Sequence, residues 1–320
     1  MKRPSCFNFI WLLLLVCLTA AGCSSPEEPP AGTTAAPAKQ TGVKETGALR
    51  DSRPQVLVPE ASGLVTYTSD TAAADASHTS EGYIMVRYTG SNQKVKLQII
   101  SPTSVKYTYV IHSRTDYESF PLTEGSGEYQ FTVYENLNGD QYAAVLSQTI
   151  QVEIADEFKP FLYPNQYTNF TADSKAFSLS EQLADGAHSD LEVVTNIYNY
   201  VIGSISYDEA LAENAPYDYL PDVDEVLSDQ TGICFDYAAV MTAMLRAQRI
   251  PTKLVVGYSN DLYHAWISTY VDDQGWVDNV IQFDGKVWTL MDPTLAANND
   301  AEDVKKYVGD GSNYIVKYTY

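Results

Sequence analysis

The chain has 320 residues, with 41 acidic and 20 basic side chains and a formal net charge of −21. That balance argues against nucleic-acid binding, which relies on Lys and Arg to displace counterions, and against a basic patch for anionic lipid. The length suffices for two cored domains, and the acidity serves solubility.

In chain order, Lys2 and Arg3 precede an apolar run from Phe7 to Leu18, followed by Thr19-Ala20-Ala21-Gly22-Cys23. A basic start, a short apolar run and small residues make a signal peptide over 1–22, too short to span a membrane as a helix. The cysteine after Ala21-Gly22 resembles the lipid-accepting cysteine of bacterial lipoproteins, although Ala20 stands where leucine is usual. The resemblance implies a mature chain that begins at a lipidated Cys23 and is anchored on the outer side of the bacterial cell membrane. Cys6 and Cys17 fall in the removed peptide and lipid blocks Cys23, so Cys234 is expected as the single free thiol, with no disulfide. Residues 23–54 are Ser, Pro, Glu, Ala, Gly, Thr and Lys with few large apolar side chains. They read as a flexible tether with a reach of roughly 30 Å.

Residues 55–155 alternate with period two. Tyr83–Tyr88, Val95–Ile99, Val105–Ile111, Tyr129–Tyr134 and Thr149–Ile154 are the strand candidates. Turn residues separate them at Thr89-Gly90-Ser91-Asn92, Glu124-Gly125-Ser126-Gly127 and Asn138-Gly139-Asp140. Short strands at this spacing predict an all-β, immunoglobulin-like sandwich.

The second domain is expected over 156–320, with 155–178 as the connection. Leu191, Val194, Ile197, Tyr198, Val201, Ile202 and Ile205 recur at helical steps, and Ser189 or Asp190 caps them. Residues 210–222 read as irregular and acidic. Gly232 suits a tight turn before Cys234, which opens a helical run to Arg249. A cysteine at a helix N-terminus sits at the positive end of the macrodipole, which favours thiolate. Lys253–Tyr258, His264–Val271 and Val287–Met291 read as strands, and a last strand over 312–318 is expected at the edge of the same sheet.

Cys234, His264 and Asp292 thus stand at a helix start and on or beside two strands, a rigid frame able to bring three side chains together. They are the parts of a thiol triad, in which the thiol attacks, the imidazole takes its proton and the carboxylate orients the imidazole. The order Gly232-Ile233-Cys234-Phe235-Asp236-Tyr237-Ala238, Arg246 to Pro251, Val255 to Tyr258, His264-Ala265-Trp266 and Asp292-Pro293-Thr294 resembles the transglutaminase-like superfamily, over about residues 190–296. The resemblance implies an α+β, papain-like catalytic domain behind the sandwich, with Cys234 as nucleophile, His264 as base and Asp292 as orienting carboxylate. Asp278 competes for the third role, and Pro293-Thr294 favours Asp292. Ile205-Ser206-Tyr207 resembles the short element that precedes the cysteine helix in this superfamily.

The implied chemistry is acyl transfer at amide bonds of peptides or proteins, cell-wall peptides among them, through a thioacyl intermediate. Water as acceptor makes a peptidase or amidase, and an amine makes a transglutaminase. The Cys234 N–H is one oxyanion donor, and Gln230 and Tyr207 are alternatives for the second. Asp218, Asp222, Asp224 and Glu225 lack a calcium-loop pattern, and His78, His112 and His188 lack zinc spacing. No metal or other cofactor is expected. The contrasting reading is a non-catalytic surface binding lipoprotein that uses the same scaffold.

Overall fold

The computed structural model describes residues 47–272, 274–278, 281–283, 288–290 and 313–320. The signal peptide, Cys23 and Asp292 lie outside the described residues.

Eight strands come first: β1 (Thr66–Thr68), β2 (Ala72–Asp75), β3 (Tyr83–Tyr88), β4 (Val95–Ile100), β5 (Lys106–Val110), β6 (Glu118–Pro121), β7 (Gly127–Asn138) and β8 (Gln141–Val152). They form two antiparallel four-stranded sheets, ordered β1-β2-β3-β6 and β5-β4-β7-β8. The period-two pattern is visible in β4, where Val95, Leu97 and Ile99 are buried and Lys96, Gln98 and Ile100 are half-buried. β3 has the predicted bounds, whereas β1, β2 and β6 were not anticipated. β2 reads Ala-Ala-Ala-Asp, which carries no strand propensity, yet all four residues are buried between neighbours. Tertiary packing there overrides local preference.

The remainder mixes helices and strands. The helices are α1 (Lys175–Ala184), α2 (Asp190–Ser204), α3 (Glu209–Asn214), α4 (Val223–Asp229) and α5 (Cys234–Ala247). β9 (Ser206–Tyr207) pairs in parallel with β10 (Thr231–Gly232). β11 (Thr252–Ser259), β12 (Leu262–Val271), β13 (Gly275–Asp278) and β16 (Tyr314–Thr319) form an antiparallel sheet in the order β13-β12-β11-β16. β14 (Ile281–Phe283) pairs with β15 (Trp288–Leu290). The last strand does take the sheet edge, as expected.

Ser189 caps α2 by accepting from the Glu192 N–H at 3.2 Å. The acidic stretch expected to be irregular contains α3. Asp208 caps α3 through the Leu211 N–H at 2.8 Å, and Asp222 caps α4 through the N–H groups of Asp224 and Glu225 at 3.1 and 2.9 Å. Asp208, just before this stretch, and Asp222, at its end, are therefore helix caps, each contributing about 1 kcal/mol.

α5 is the central element, with every residue from Asp236 to Ala247 buried. A helix that is apolar around most of its circumference must sit inside the molecule, and its Asp236 and Arg246 side chains are hydrogen-bonded there. It stops where Arg249 turns left-handed (φ 64°), with the Ile250 N–H donating to Leu245 O at 3.0 Å and the Arg249 N–H to Arg246 O at 2.9 Å. That is a Schellman ending, and Pro251 follows it. Arg246, only 1% exposed, donates to the carbonyls of Tyr163, Thr252 and Tyr320 and to Thr168 Oγ1. Burial pulls its pKa down to about 9, so the guanidinium stays charged at neutral pH and ties three segments to α5.

The described residues form one compact unit. Aromatic rings join its early and late parts: Tyr109 lies 5.8 Å from Tyr167 and 5.9 Å from Tyr320, and Tyr107 lies 5.7 Å from Tyr320. The Arg50 N–H donates to Ala187 O at 2.8 Å, Gln248 Nε2 to Ser52 O at 2.8 Å, and the Gln55 N–H to Ala247 O at 2.8 Å. Residues 50–54, placed by composition at the end of the tether, are thus hydrogen-bonded onto the helical layer.

Candidate active site

Cys234 is the first residue of α5 and is half-buried with a free thiol. Its position is fixed by Asp236, in the first turn of the helix and 0% exposed. Asp236 Oδ2 accepts the Ile233 N–H at 2.7 Å, and Oδ1 accepts the Tyr219 hydroxyl at 2.8 Å. Burial raises the Asp236 pKa, while the two hydrogen bonds pull the other way. Gly232 follows from this packing rather than from a tight turn. It lies in β10 opposite Tyr207, and a Cβ there would stand 2.7 Å from Asp236 Cβ and 2.9 Å from its Oδ2.

His264 is the third residue of β12 and pairs with Gly257 on β11. The hairpin between them turns at Asn260, whose φ of 53° Asn tolerates better than most side chains, and this sets the register. The indole of Trp266 lies roughly parallel to the His264 ring at 6.1 Å, and Tyr314 packs edge-on to Trp266 at 5.1 Å. Gly257 admits this close layer, since a Cβ there would meet Ile315 O at 2.0 Å and the Trp266 ring at 2.9 Å.

Cys234 and His264 line the same cavity, of about 560 Å³. Tyr207 lines it too, brought there by the β9–β10 pairing. Gln230 is exposed at the left-handed end of α4, where its backbone carbonyl accepts the Ser206 N–H at 2.9 Å. Of the two candidate oxyanion donors, the structure brings Tyr207 to the cysteine's cavity. The backbone of Asp278 pairs with Ser268, four positions along β12 from His264. Asp292 is outside the described residues.

Sequence reasoning missed several wall residues. Thr108, Val110 and His112 reach the cavity from β5 and its end, and Gln166 and Tyr167 reach it from the connection. Gln166 donates to Val110 O at 3.3 Å. Only the alternation of 108, 110 and 112 along one face of β5 hinted at this, and it does not identify what the face meets. Tyr219, the partner of Asp236, sits in a loop without any motif.

Residues 178–279 match the family model of the transglutaminase-like superfamily. This segment is a transglutaminase-like core. It contains Cys234, His264 and Asp278 and stops before Asp292. Among solved structures, the chain is similar to a candidate cysteine protease from Cytophaga hutchinsonii, at 15% identity, TM-score 0.38, and coverage of 80% of this chain and 78% of that one. It is also similar to the periplasmic domain of TgpA from Pseudomonas aeruginosa bound to ethylmercury, at 15% identity, TM-score 0.34, and coverage of 67% and 93%. A third is red sea bream transglutaminase, at 13% identity, TM-score 0.27, and coverage of 66% and 48%. No curated protein matches the sequence.

Proposed function

We propose that this chain is a cysteine enzyme that cleaves or transfers acyl groups at amide bonds through a thioester on Cys234. The supporting observation is the placement of Cys234, at the start of a buried helix, and His264, on the adjoining sheet, around one cavity in a transglutaminase-like core. In the reading, His264 takes the thiol proton as sulfur bonds to the amide carbon, and Asp292 orients the imidazole. The Cys234 N–H, at the first helical position without an intrahelical partner, and Tyr207 stabilise the oxyanion. The C–N bond then breaks, the amine leaves with the proton from the imidazolium, and water or a second amine resolves the thioester.

The eight early strands form an immunoglobulin-like sandwich in this proposal, and a lipidated Cys23 anchors the protein outside the cell membrane, facing wall peptides and neighbouring proteins. Inhibition of lipoprotein signal processing should make precursor accumulate; undisturbed release into the medium contradicts the anchor. The catalytic reading is tested by mass-spectrometric product identification from wall peptides and from a glutamine peptide with an amine. Products that vanish in Cys234→Ala support it. A thiol-directed acyl probe that labels Cys234 no faster than a model thiol supports the non-catalytic scaffold.

A further inference from the structure

The loop between α3 and α4 supplies part of the cavity wall, from Ala215 to Leu220. Among the described residues that line the cavity, Asp218 is the one carboxylate, and neither Lys nor Arg is present. Seven of those residues are tyrosines, Tyr217, Tyr219 and Tyr263 among them. Tyrosine faces attract cations through the ring quadrupole. Tyr217, 82% exposed, already does so on one side, where Lys96 Nζ of β4 lies 5.3 Å from its centroid and 4.5 Å from that of Tyr142.

Behind the loop lies a second, smaller cavity that shares Tyr219 and Leu220 and is walled by Asp208, Asp222, Glu225 and Asp229. Tyr219 registers this field. Its hydroxyl pKa is pushed up first by burial, then by its bond to Asp236, with Glu225 and Asp208 adding to the effect. Among the described residues, the nearby basic side chains are Lys96, shared with Tyr142, and His112 and His264, which line the cavity. The loop is also fixed next to the nucleophile, because Tyr219 bonds Asp236 in the first turn of the helix that Cys234 begins.

We propose that the Tyr217–Asp218–Tyr219 corner is a subsite for a cationic side chain on the residue whose carbonyl Cys234 attacks, so that the substrates are peptides with a basic residue at the reacting bond. The inference rests on the proposed role of Cys234, and its test separates the two. Alkylation of Cys234 in the purified protein is timed with acetyl-lysyl, acetyl-norleucyl and acetyl-glutamyl chloromethyl ketones, and located by peptide mass mapping. Each reaction forms a thioether and releases chloride. Iodoacetamide, which has no side chain to recognise, gives the intrinsic reactivity of the thiol.

The lysyl reagent should react about tenfold faster than its norleucyl isostere, the order expected for one partly exposed ion pair plus a cation–π contact. The glutamyl reagent should be the slowest, and raising the salt should shrink the spread. In Asp218→Asn the lysyl-to-norleucyl ratio should fall to about two or less, and Tyr217→Ala should lower it as well. Because unfolding would also level the two rates, each ratio is read in a variant whose circular dichroism and melt match the parent's, as expected for the exposed Tyr217 and Asp218. Equal lysyl and norleucyl rates, or a ratio that survives in Asp218→Asn, overturn the subsite while leaving the nucleophile intact. A thiol no more reactive than a model thiol, with the lysyl preference kept, removes the catalytic reading and supports the subsite.

Discussion

Replacing Gly232 by Ala tests whether the cysteine helix is seated on a buried carboxylate. The new Cβ would lie 2.7 Å from Asp236 Cβ, 2.9 Å from Oδ2 and 3.1 Å from Cγ. Asp236 is fully buried and held at both oxygens, so it has no free space to move into. Overpacking of this kind costs about 1–3 kcal/mol. If the carboxylate shifts, the bonds from Ile233 and Tyr219 weaken as well, each worth about 1.5–3 kcal/mol to a charged acceptor. The combined loss is about 3–5 kcal/mol, a fall in Tm of about 10 °C for a chain of this size. Thermal unfolding followed by circular dichroism reads it. Because the closest approach is to Asp236 Cβ, adding Asp236→Ala should not restore the melt. Gly203, exposed near the end of α2 with open space around its missing Cβ, is the control, and Gly203→Ala should stabilise by about 0.5–1 kcal/mol. A Gly232→Ala melt within about 2 °C of the parent refutes the packing argument.

Three further outcomes follow from the same structure. Arg246→Met should destabilise by about 3–5 kcal/mol in urea unfolding, because the carbonyls of Tyr163 and Thr252 lose the guanidinium donor and Tyr320 O keeps only the Leu254 N–H; a change under about 1 kcal/mol contradicts its role. Tyr219→Phe should cost about 1–3 kcal/mol by the same measurement, since Asp236 Oδ1 loses its donor. The folded-state pKa of Asp236 is raised, so its contribution is fully present below the ordinary value of about 3.9 and lost as pH rises through the raised one. Parent stability relative to Asp236→Asn should therefore grow as pH falls from neutrality toward that value, and a flat difference contradicts the assignment.

Much of the fold was legible because local preference and burial agree. β4 alternates as a half-buried strand does, β3 is a short run buried at all but Arg87, and the largely apolar run after Cys234 is the central helix. Where the two conflict, the sequence misleads. The alanines of β2 form a strand only because neighbours enclose them, and α3 is a short helix nucleated by the Asp208 cap inside an acidic stretch. For the site, Cys234 and His264 were singled out by their neighbours in sequence, and the structure brings both to one cavity. Gly232 was readable as a necessary glycine, though for the wrong reason: the constraint is the side chain of Asp236 rather than a turn. The tyrosine contacts among Tyr109, Tyr167 and Tyr320, and the β5 wall of the cavity, join residues far apart in the chain, and no local pattern encodes which strand face meets which loop.

The central claim is that Cys234 carries the acyl group and that His264 activates it. Intact-mass analysis after rapid acid quench of a reaction with a peptide thioester reads this directly. The account predicts an acyl adduct that maps to Cys234, forms quickly in the parent, is slowed by several orders of magnitude in His264→Ala and is absent in Cys234→Ala. An adduct that forms equally fast without His264, or none on Cys234 in a folded parent while the peptide is still turned over, contradicts it.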